Sequence, residues 1–445
     1  MNLSLSDKFT LKKLLKFTMP SIGMMMAMSV YILVDGFFVS NFAGKTPFAA
    51  VNIIYPVLLI LSAVGFMFGT GGTALIAKTY GEGDKEKANS IFSLIIYTDI
   101  AAGIILMEIG FFLVKPVAKM SGAEGELLDC CIQYAGILLP GIPFYTLQFL
   151  FQSFFAAAEK PKLGFAVTAA AGLTNMIGDA VLCTLLPEPY RLSGAAVATL
   201  LGIVVGGGVP LIYFACKNSS LYRLGKTRFD LRAIVKSCTN GSSEFISTTS
   251  ENVVAVLFNT QLMKYAGENG VAAFGVIMYV SLLFSGAFLG YSVGSAPIIS
   301  YHYGARNYDE LKNLFRKSLL ISALFGIIMF ALAEILAVPI SYAYVGYDEK
   351  LANMTVSGFR LFSTTFLLIG FGIFSSAFFT DLNNGAVSFI ISFLRALVFP
   401  CVAVLILPVF LGINGIWLSS LAKEILSIIV SFIFLYAYKD RYHYV

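Results

Sequence analysis

The strongest constraint on the fold of this chain is an internal repeat with an offset of 223 residues. Eleven positions of the first half recur in the second half, in order and without a gap. The first copy comprises Ala43, Gly44, Ala49, Ala50, Leu59, Ser62, Gly71, Ile76, Tyr80, Gly81 and Phe92, and the second comprises Ala266, Gly267, Ala272, Ala273, Leu282, Ser285, Gly294, Ile299, Tyr303, Gly304 and Phe315. A duplicated hydrophobic chain is more typical of a transporter than of an enzyme or a receptor, because two bundles can rock against each other around a shared cavity.

Composition places the chain in a membrane. Hydrophobic residues make up 58% of the sequence and charged residues 12%, against roughly 25% charged residues in a soluble domain. The apolar stretches between charge clusters reach the roughly 20 helical residues that cross a bilayer. Period-two alternation is absent, so we expect helices and not a barrel. Twelve spans are predicted, at residues 14–40, 48–78, 91–114, 127–157, 163–186, 192–216, 234–263, 271–301, 315–338, 351–381, 385–408 and 412–438.

Lysine and arginine are distributed unevenly over the loops. The two terminal segments and alternate loops carry 21 of these residues, and the remaining loops carry 6. Because basic loops stay in the cytoplasm, both termini are predicted to be cytoplasmic, which requires an even number of spans. The first apolar stretch is too long for a cleavable signal, so it is expected to remain as a span. The net charge of +5 follows from this asymmetry and indicates no nucleic-acid partner.

A basic linker divides the chain near its midpoint. Six spans precede it and six follow it, so the halves enter the membrane from the same side and are parallel repeats with a cavity between them. The predicted units are an amino-terminal six-helix lobe at 1–216, a cytoplasmic linker at 217–233 and a carboxy-terminal six-helix lobe at 234–445. The predicted fold class is an all-α polytopic membrane protein with twelve transmembrane helices in two pseudo-symmetric lobes.

Two acidic residues of the first half are the leading candidates for ion binding. Asp179 lies four residues after Asn175, so the two share a helix face, and Asp35 lies in an apolar run of the first span. Both belong to the outer half of their spans in the predicted topology. Two buried carboxylates placed close together repel, so one of them is expected to hold a proton. The structural alternative is that each carboxyl group only joins neighbouring helices.

The second half carries further ionisable residues within its spans. Glu251 lies mid-span beside Ser250 and Asn252 and could neutralise a cationic substrate or bind a coupling ion; a purely structural role is the alternative. Glu244 is nearer the cytoplasmic mouth and is interpreted as part of a solvated vestibule. The other charges are interpreted mainly as structural or as weak candidates: Asp99, Glu108, Glu334, Arg360, Arg395, Lys423 and Glu424.

Enzymatic function has little support in the sequence. The run Gly69–Ala74 matches a dinucleotide-binding pattern, but it lies inside a predicted span with no preceding strand, so small residues for helix packing explain it better. No phosphate-binding GxxxxGK[ST] motif is present, and the six cysteines and two histidines lack metal-ligand spacing. We therefore expect no enzyme activity, no cofactor and no metal apart from a coupling ion.

Several motifs together resemble the multidrug and toxic compound extrusion (MATE) transporters over essentially the whole chain. In the first half the resemblance rests on Pro20, Val34-Asp35-Gly36-Phe37-Phe38-Val39, Ala49-Ala50-Val51-Asn52, Pro56, Gly69-Thr70-Gly71-Gly72 and Tyr80-Gly81-Glu82-Gly83-Asp84. In the second half it rests on Ala272-Ala273-Phe274-Gly275 and Pro297-Ile298-Ile299-Ser300-Tyr301-His302-Tyr303-Gly304-Ala305.

The resemblance implies a two-lobe, alternating-access antiporter in the plasma membrane of a prokaryote, functional as a monomer. Such a protein exports cationic or amphipathic organic compounds in exchange for H⁺ or Na⁺. The prokaryotic, damage-inducible branch of the family has an amino-lobe site whose residues fall on Asp35, Asn175, Asp179 and Thr199, the first three being the expected Na⁺ ligands.

A carboxy-lobe cation site of the sodium-coupled branch is implied less completely. The resemblance places Glu251 in the seventh span, but the tenth span has no acid until Asp381 at its end. Coupling through the amino lobe is therefore favoured, with a proton over sodium. The alternatives are a lipid-linked precursor flippase of the same superfamily and, from a different class, a membrane-embedded enzyme or a passive channel.

Overall fold

The described part of the chain is mainly helical and contains no strand. The computed structural model describes residues 4–445, apart from the side chain of Ser40. The helices are α1 (Leu11–Ala43), α2 (Lys45–Gly81), α3 (Lys85–Met120), α4 (Gly125–Ala157), α5 (Pro161–Leu185), α6 (Glu188–Ala215), α7 (231–266), α8 (268–304), α9 (Tyr308–Val345), α10 (Glu349–Ser363 and Phe366–Asp381), α11 (Gly385–Leu411) and α12 (Ile413–Tyr442). The predicted fold class of twelve spans in two six-helix lobes, α1–α6 and α7–α12, is confirmed.

Two of the twelve spans are separated by a single residue. Residues 231–304 form 74 residues of nearly continuous helix, about 110 Å at 1.5 Å per residue, several times the thickness of a hydrocarbon core. Gly267 interrupts this run with φ 61° and ψ −153°, a conformation that favours glycine. Its counterpart in the repeat, Gly44, has φ 101° and separates α1 from α2. The recurring Ala-Gly pair of the sequence therefore marks the same turn in each lobe.

The helices extend beyond the predicted apolar stretches. The third span, predicted at 91–114, is the helix Lys85–Met120, because hydropathy marks only the part of a helix that lies in lipid. Its start is fixed by the side chain of Asp84, which accepts a hydrogen bond from the backbone N–H of Lys87 at 3.0 Å. The repeat preserves this cap, since Asn307 accepts one from the N–H of Glu310 at 3.3 Å before α9.

The two lobes meet along α1, α2, α7 and α8, where glycines let backbones approach closely. A Cβ on Gly71 of α2 would lie 2.0 Å from the carbonyl oxygen of Ser237 in α7. Nearer the ends of α2 and α8, a Cβ on Gly81 or on Gly304 would lie 2.1 Å from a carbonyl oxygen of the other helix. All these contacts lie toward the membrane face that carries the termini and the linker, which we call the linker face. The lobes are therefore closed against each other on the linker face.

Two non-helical segments cross between the lobes on the linker face. Residues 4–10, which we call the N-terminal strap, precede α1 but lie on α9 of the other lobe. There the backbone N–H of Phe9 donates to the buried Glu310 carboxylate at 2.7 Å, and Asn313 donates to the Phe9 carbonyl oxygen at 3.1 Å. At its other end the N–H of Leu5 donates to Glu159 of the first lobe at 2.6 Å. The strap thus joins both lobes.

The linker before α7 makes the reciprocal crossing. It lies on α3 of the first lobe, where the N–H of Arg223 donates to the Asn89 side chain at 2.8 Å. The N–H of Gly225 donates to the Ser93 hydroxyl at 3.1 Å. Each lobe is therefore preceded by a segment that is bound to the third helix of the opposite lobe.

Candidate functional site

Four residues predicted from the sequence come together inside the first lobe. The carboxylate of Asp35 on α1 accepts hydrogen bonds from Thr199 Oγ1 of α6 at 3.2 Å and from Asn175 Nδ2 of α5 at 3.5 Å. Asn175 Nδ2 also lies 3.3 Å from Thr199 Oγ1. Asp179, one turn after Asn175, is fully buried beside this group. Three helices therefore contribute to one polar cluster, which we call the amino-lobe site.

Small residues allow this convergence. A Cβ on Gly178 of α5 would lie 2.7 Å from Ala198 Cβ, and a Cβ on Gly202 of α6 would lie 3.1 Å from Asn175 Cβ. Larger side chains at either glycine would push α5 and α6 apart, because close helix approach in a membrane depends on small residues at the contact. The glycines thereby hold Thr199 within reach of Asn175.

The two carboxyl groups of the site face each other. Those of Asp35 and Asp179 lie within hydrogen-bonding reach, and neither oxygen of Asp179 accepts a hydrogen bond from an N–H or O–H group of the described residues. Two carboxylates this close are costly to ionise together. A proton shared between them, or a small cation among the oxygens of Asp35, Asp179, Asn175 and Thr199, would satisfy the group. The geometry therefore suits reversible binding of a monovalent positive charge.

A small cavity of about 30 Å³ opens beside Asp35. Three tyrosines line it, Tyr31 of α1, Tyr55 of α2 and Tyr145 of α4, together with Gln148. Tyrosine faces attract organic cations, so the cavity wall combines an acid with aromatic rings. The sequence analysis did not single out Tyr31 or Tyr55, although Tyr31 lies one helical turn before Asp35 and the i, i+4 spacing was a usable signal.

Glu251 does not belong to the amino-lobe site. It lies on α7 in the second lobe and is exposed, within electrostatic reach of Lys423 and Arg395. Arg395 is itself engaged, because its guanidinium donates to both oxygens of the fully buried Glu424, at 3.0 and 3.1 Å. A Cβ on Gly372 would lie within 3 Å of this ion pair. Arg395 and Glu424 thus form an ion pair packed against α10, and Glu251 lies outside it.

Glu244 and Asp381 have surroundings that the sequence did not indicate. Glu244, expected in a solvated vestibule, lines a small cavity between the lobes together with Asp381. The tenth span ends at Asp381, which is only 2% exposed. Their proximity depends on how α7 and α10 pack, and no local pattern in the sequence records it.

Comparison with known proteins identifies the family. The sequence profile of the MatE family matches residues 20–181 and 244–406, one match in each half. The chain belongs to the MatE family, so the resemblance drawn from the sequence is confirmed, and the protein is a membrane transporter and not an enzyme.

Named relatives and solved structures match over nearly the full length. The multidrug export protein MepA of Staphylococcus saprophyticus is 22% identical over 435 residues, 97% of this chain and 94% of the relative. MepA of Staphylococcus aureus strain MSSA476 is 24% identical over 440 residues, with the same coverage. A MATE crystal structure in complex with MaL6 superposes with a TM-score of 0.92 at 22% identity, covering 98% of each chain. An outward-facing multidrug resistance MATE transporter gives 0.91 at 22% identity, with the same coverage.

Proposed function

We propose that this protein is a secondary active antiporter that exports cationic or amphipathic organic compounds in exchange for H⁺ or Na⁺. The observation that carries the proposal is the facing pair Asp35 and Asp179 beside a tyrosine-lined cavity. Such a pair can hold either an inorganic positive charge or an organic one, and exchange follows when the two compete. The names of the MepA relatives, which describe multidrug export, support the same substrate class.

The exchange cycle needs two states of the lobes. We assign the linker face to the cytoplasm, because the loops on that side carry most of the lysine and arginine. The closed linker face then makes this an outward-facing state in a prokaryotic plasma membrane, with 1–216 and 234–445 as the moving units and 217–233 as their cytoplasmic connection. In the opposite state the ionised pair receives an organic cation from the cytoplasm. After outward opening, ion binding at the pair releases the cation.

The amino-lobe site favours a proton as the coupling ion. Both Asp179 oxygens lack a donor among the described residues, and a proton shared with Asp35 gives one of these oxygens a hydrogen bond without rearrangement. Asn175 fixes the position of Asp35 by its amide donor. The exchange needs no second subunit, because all four residues come from one lobe, so we assign the activity to the monomer.

Dye transport in membrane vesicles containing the chain tests the proposal. Ethidium transport driven by an imposed pH gradient should fall to background in Asp35→Asn and in Asp179→Asn, because each substitution removes one carboxylate of the pair. Asp99→Asn is the matched control, since Asp99 is also a buried span acid but lies outside the site. Equal transport by both variants and the wild type would refute the role of the pair. A requirement for Na⁺ in place of the pH gradient would assign sodium as the coupling ion.

A further inference from the structure

A buried histidine lies under the N-terminal strap on the linker face. His302 is in the last turn of α8 and is 1% exposed. Its imidazole lies beside the backbone of Asp7 in the strap and near the Glu310 carboxylate of α9. The preceding residue, Tyr301, has its hydroxyl group near the side chain of Ser6. The strap therefore covers His302 and separates it from water on the linker face.

Neither ring nitrogen of His302 makes a hydrogen bond with a described residue. Nδ1 and Nε2 are both buried and without a partner in that part of the chain, although a neutral imidazole carries one donor and one acceptor. Buried polar atoms without partners cost free energy, and a buried charge without partners costs more. A protonated ring has two N–H donors to satisfy, so this position suits a neutral imidazole while the strap is bound.

The charged groups of α9 near the ring are engaged with the strap. Oε1 of Glu310 accepts the backbone N–H of Phe9 at 2.7 Å and the side-chain amide of Asn313 at 2.9 Å. Lys317, two turns further along α9, donates to the carbonyl oxygen of Phe9. The carboxylate that lies near the imidazole is therefore the same one that anchors the strap.

The charged groups of the other elements around this end of α8 are also engaged. Glu159, which follows α4 in the first lobe, accepts hydrogen bonds from the strap at 2.6 and 2.9 Å and lies near Tyr301. Lys78 of α2 lies 3.3 Å from Glu82. The charge that acts on the imidazole itself is that of Glu310. A proton on the ring therefore acts first on the anchor of the strap.

We propose that His302 is a pH-sensitive latch for the N-terminal strap and that protonation of its imidazole releases the strap. A buried imidazolium at this position has two ways to satisfy its donors. It recruits the Glu310 carboxylate, which takes that acceptor from the Phe9 amide, or it gains water, which requires the strap to lift. Both ways remove the anchor of the strap on α9.

The sign and size of the pH effect follow from this arrangement. The uncovered ring takes up a proton more readily than the covered one, so a fall in pH favours the released strap and alkaline pH favours the bound strap. Histidine in water has a pKa of about 6.5. If the strap binds only the neutral ring, the ratio of released to bound strap rises about tenfold between pH 8 and pH 5.5.

Release of the strap also affects the contact between the lobes. Because the strap is bound to both lobes, its release removes one of the ties that close the linker face. A ligand that binds one state more tightly shifts the population toward it, and the ligand here is a proton. Acidification on the linker face therefore favours its opening. This effect rests on the alternating-access cycle proposed above, whereas release of the strap does not.

Hydrogen–deuterium exchange of the purified full-length chain, without drug, tests the latch. Exchange of the strap amides is measured at pH 8 and pH 5.5, and each rate is compared with that of the unfolded chain at the same pH to remove the intrinsic pH effect. We expect the protection of these amides to fall about tenfold at pH 5.5 in the wild type and less than twofold in His302→Gln. His443→Gln is the matched control, because His443 is the only other histidine of the chain and is exposed, and it should keep the full fall.

Three results would overturn the proposal. They are strap protection that does not fall in the wild type, a fall that persists in His302→Gln, and a fall that disappears in His443→Gln. Size-exclusion profiles at both pH values identify variants that fail to fold, and His302→Asn provides a second neutral side chain. If neither neutral variant folds, His443→Gln still decides, because His302 is then the only histidine left. Since no transport is measured, a protein that moves no ethidium can still release its strap, so failure of the proposed function is distinguishable from failure of the latch.

Discussion

The glycine contacts that close the linker face should control the conformational equilibrium. A Cβ on Gly71 would lie 2.0 Å from the Ser237 carbonyl oxygen, and one on Gly241 would lie 1.9 Å from the Met67 carbonyl oxygen. Ordinary contact begins at 3.4 Å, so Gly71→Ala or Gly241→Ala requires α2 and α7 to separate by about 1.4 Å. Overpacking of this kind costs about 1–3 kcal/mol. Because the clash exists only while the lobes touch, the cost shifts the equilibrium toward linker-face opening by about 5- to 160-fold.

A native thiol can report this opening. Cys238 of α7 is half-buried and packs against the apolar core of the first lobe, so separation of the lobes should make its thiol more accessible to maleimide. We expect its labelling rate to rise at least fivefold in both alanine variants, as measured by peptide mass spectrometry relative to the exposed Cys216. Gly275→Ala is the control, since no atom lies within 4 Å of its Cβ position. An unchanged Cys238 rate in both interface variants would refute the reasoning.

Three further predictions follow from contacts described above. Glu424→Gln leaves Arg395 without its buried charge partner, so we expect a loss of about 3–5 kcal/mol of stability, seen as a lower Tm. The control is a second ion pair, in which Arg360 Nε lies 3.7 Å from Glu334 Oε2 and the Arg360 side chain is 55% exposed; Arg360→Gln should cost only about 0–1 kcal/mol. Glu310→Gln weakens the acceptor of the Phe9 amide, and Cys238 labelling should rise about 2- to 10-fold as the N-terminal strap loosens; an unchanged rate would show that the strap does not hold the lobes. Tyr31→Ala should raise the KM for ethidium about 2- to 30-fold through a lost cation–π contact, while Tyr31→Phe should stay near wild type.

Local sequence patterns predicted much of this fold. Apolar stretches indicated every span, and the i, i+4 spacing of Asn175 and Asp179 put both on one helix face. The position of Asp35 within an apolar run made it a second candidate, and the family resemblance added Thr199; the structure places both in the same cluster. The roles of these residues stay predictions until the transport assay is made.

What the sequence did not reveal depends on contacts between distant helices. Asp381 was noted only as an acid at the end of a span, because nothing nearby in the sequence records that α7 places Glu244 beside it. Tyr55 was missed for the same reason. It lies on α2 and lines the amino-lobe cavity only because α2 packs against the other helices of the lobe. The prediction for the third span stopped short of both ends of α3 for another reason. A helix can continue beyond the lipid into water, and hydropathy does not detect the polar turns that it forms there.

The reciprocal crossing of the N-terminal strap and the linker is the geometry of a domain-swapped pair. In such a pair each subunit extends an identical arm onto the body of its neighbour, as residues 4–10 lie on α9 and residues 222–227 lie on α3. Two separate six-helix subunits with exchanged arms would make the same type of contact, in which an arm of one subunit binds the third helix of the other. Because six spans return the chain to the face from which it started, a short connection from α6 to the second arm is enough to join them. The linker and the N-terminal strap thus occupy the places of the two exchanged arms in such a pair, and the linker also joins the two lobes covalently.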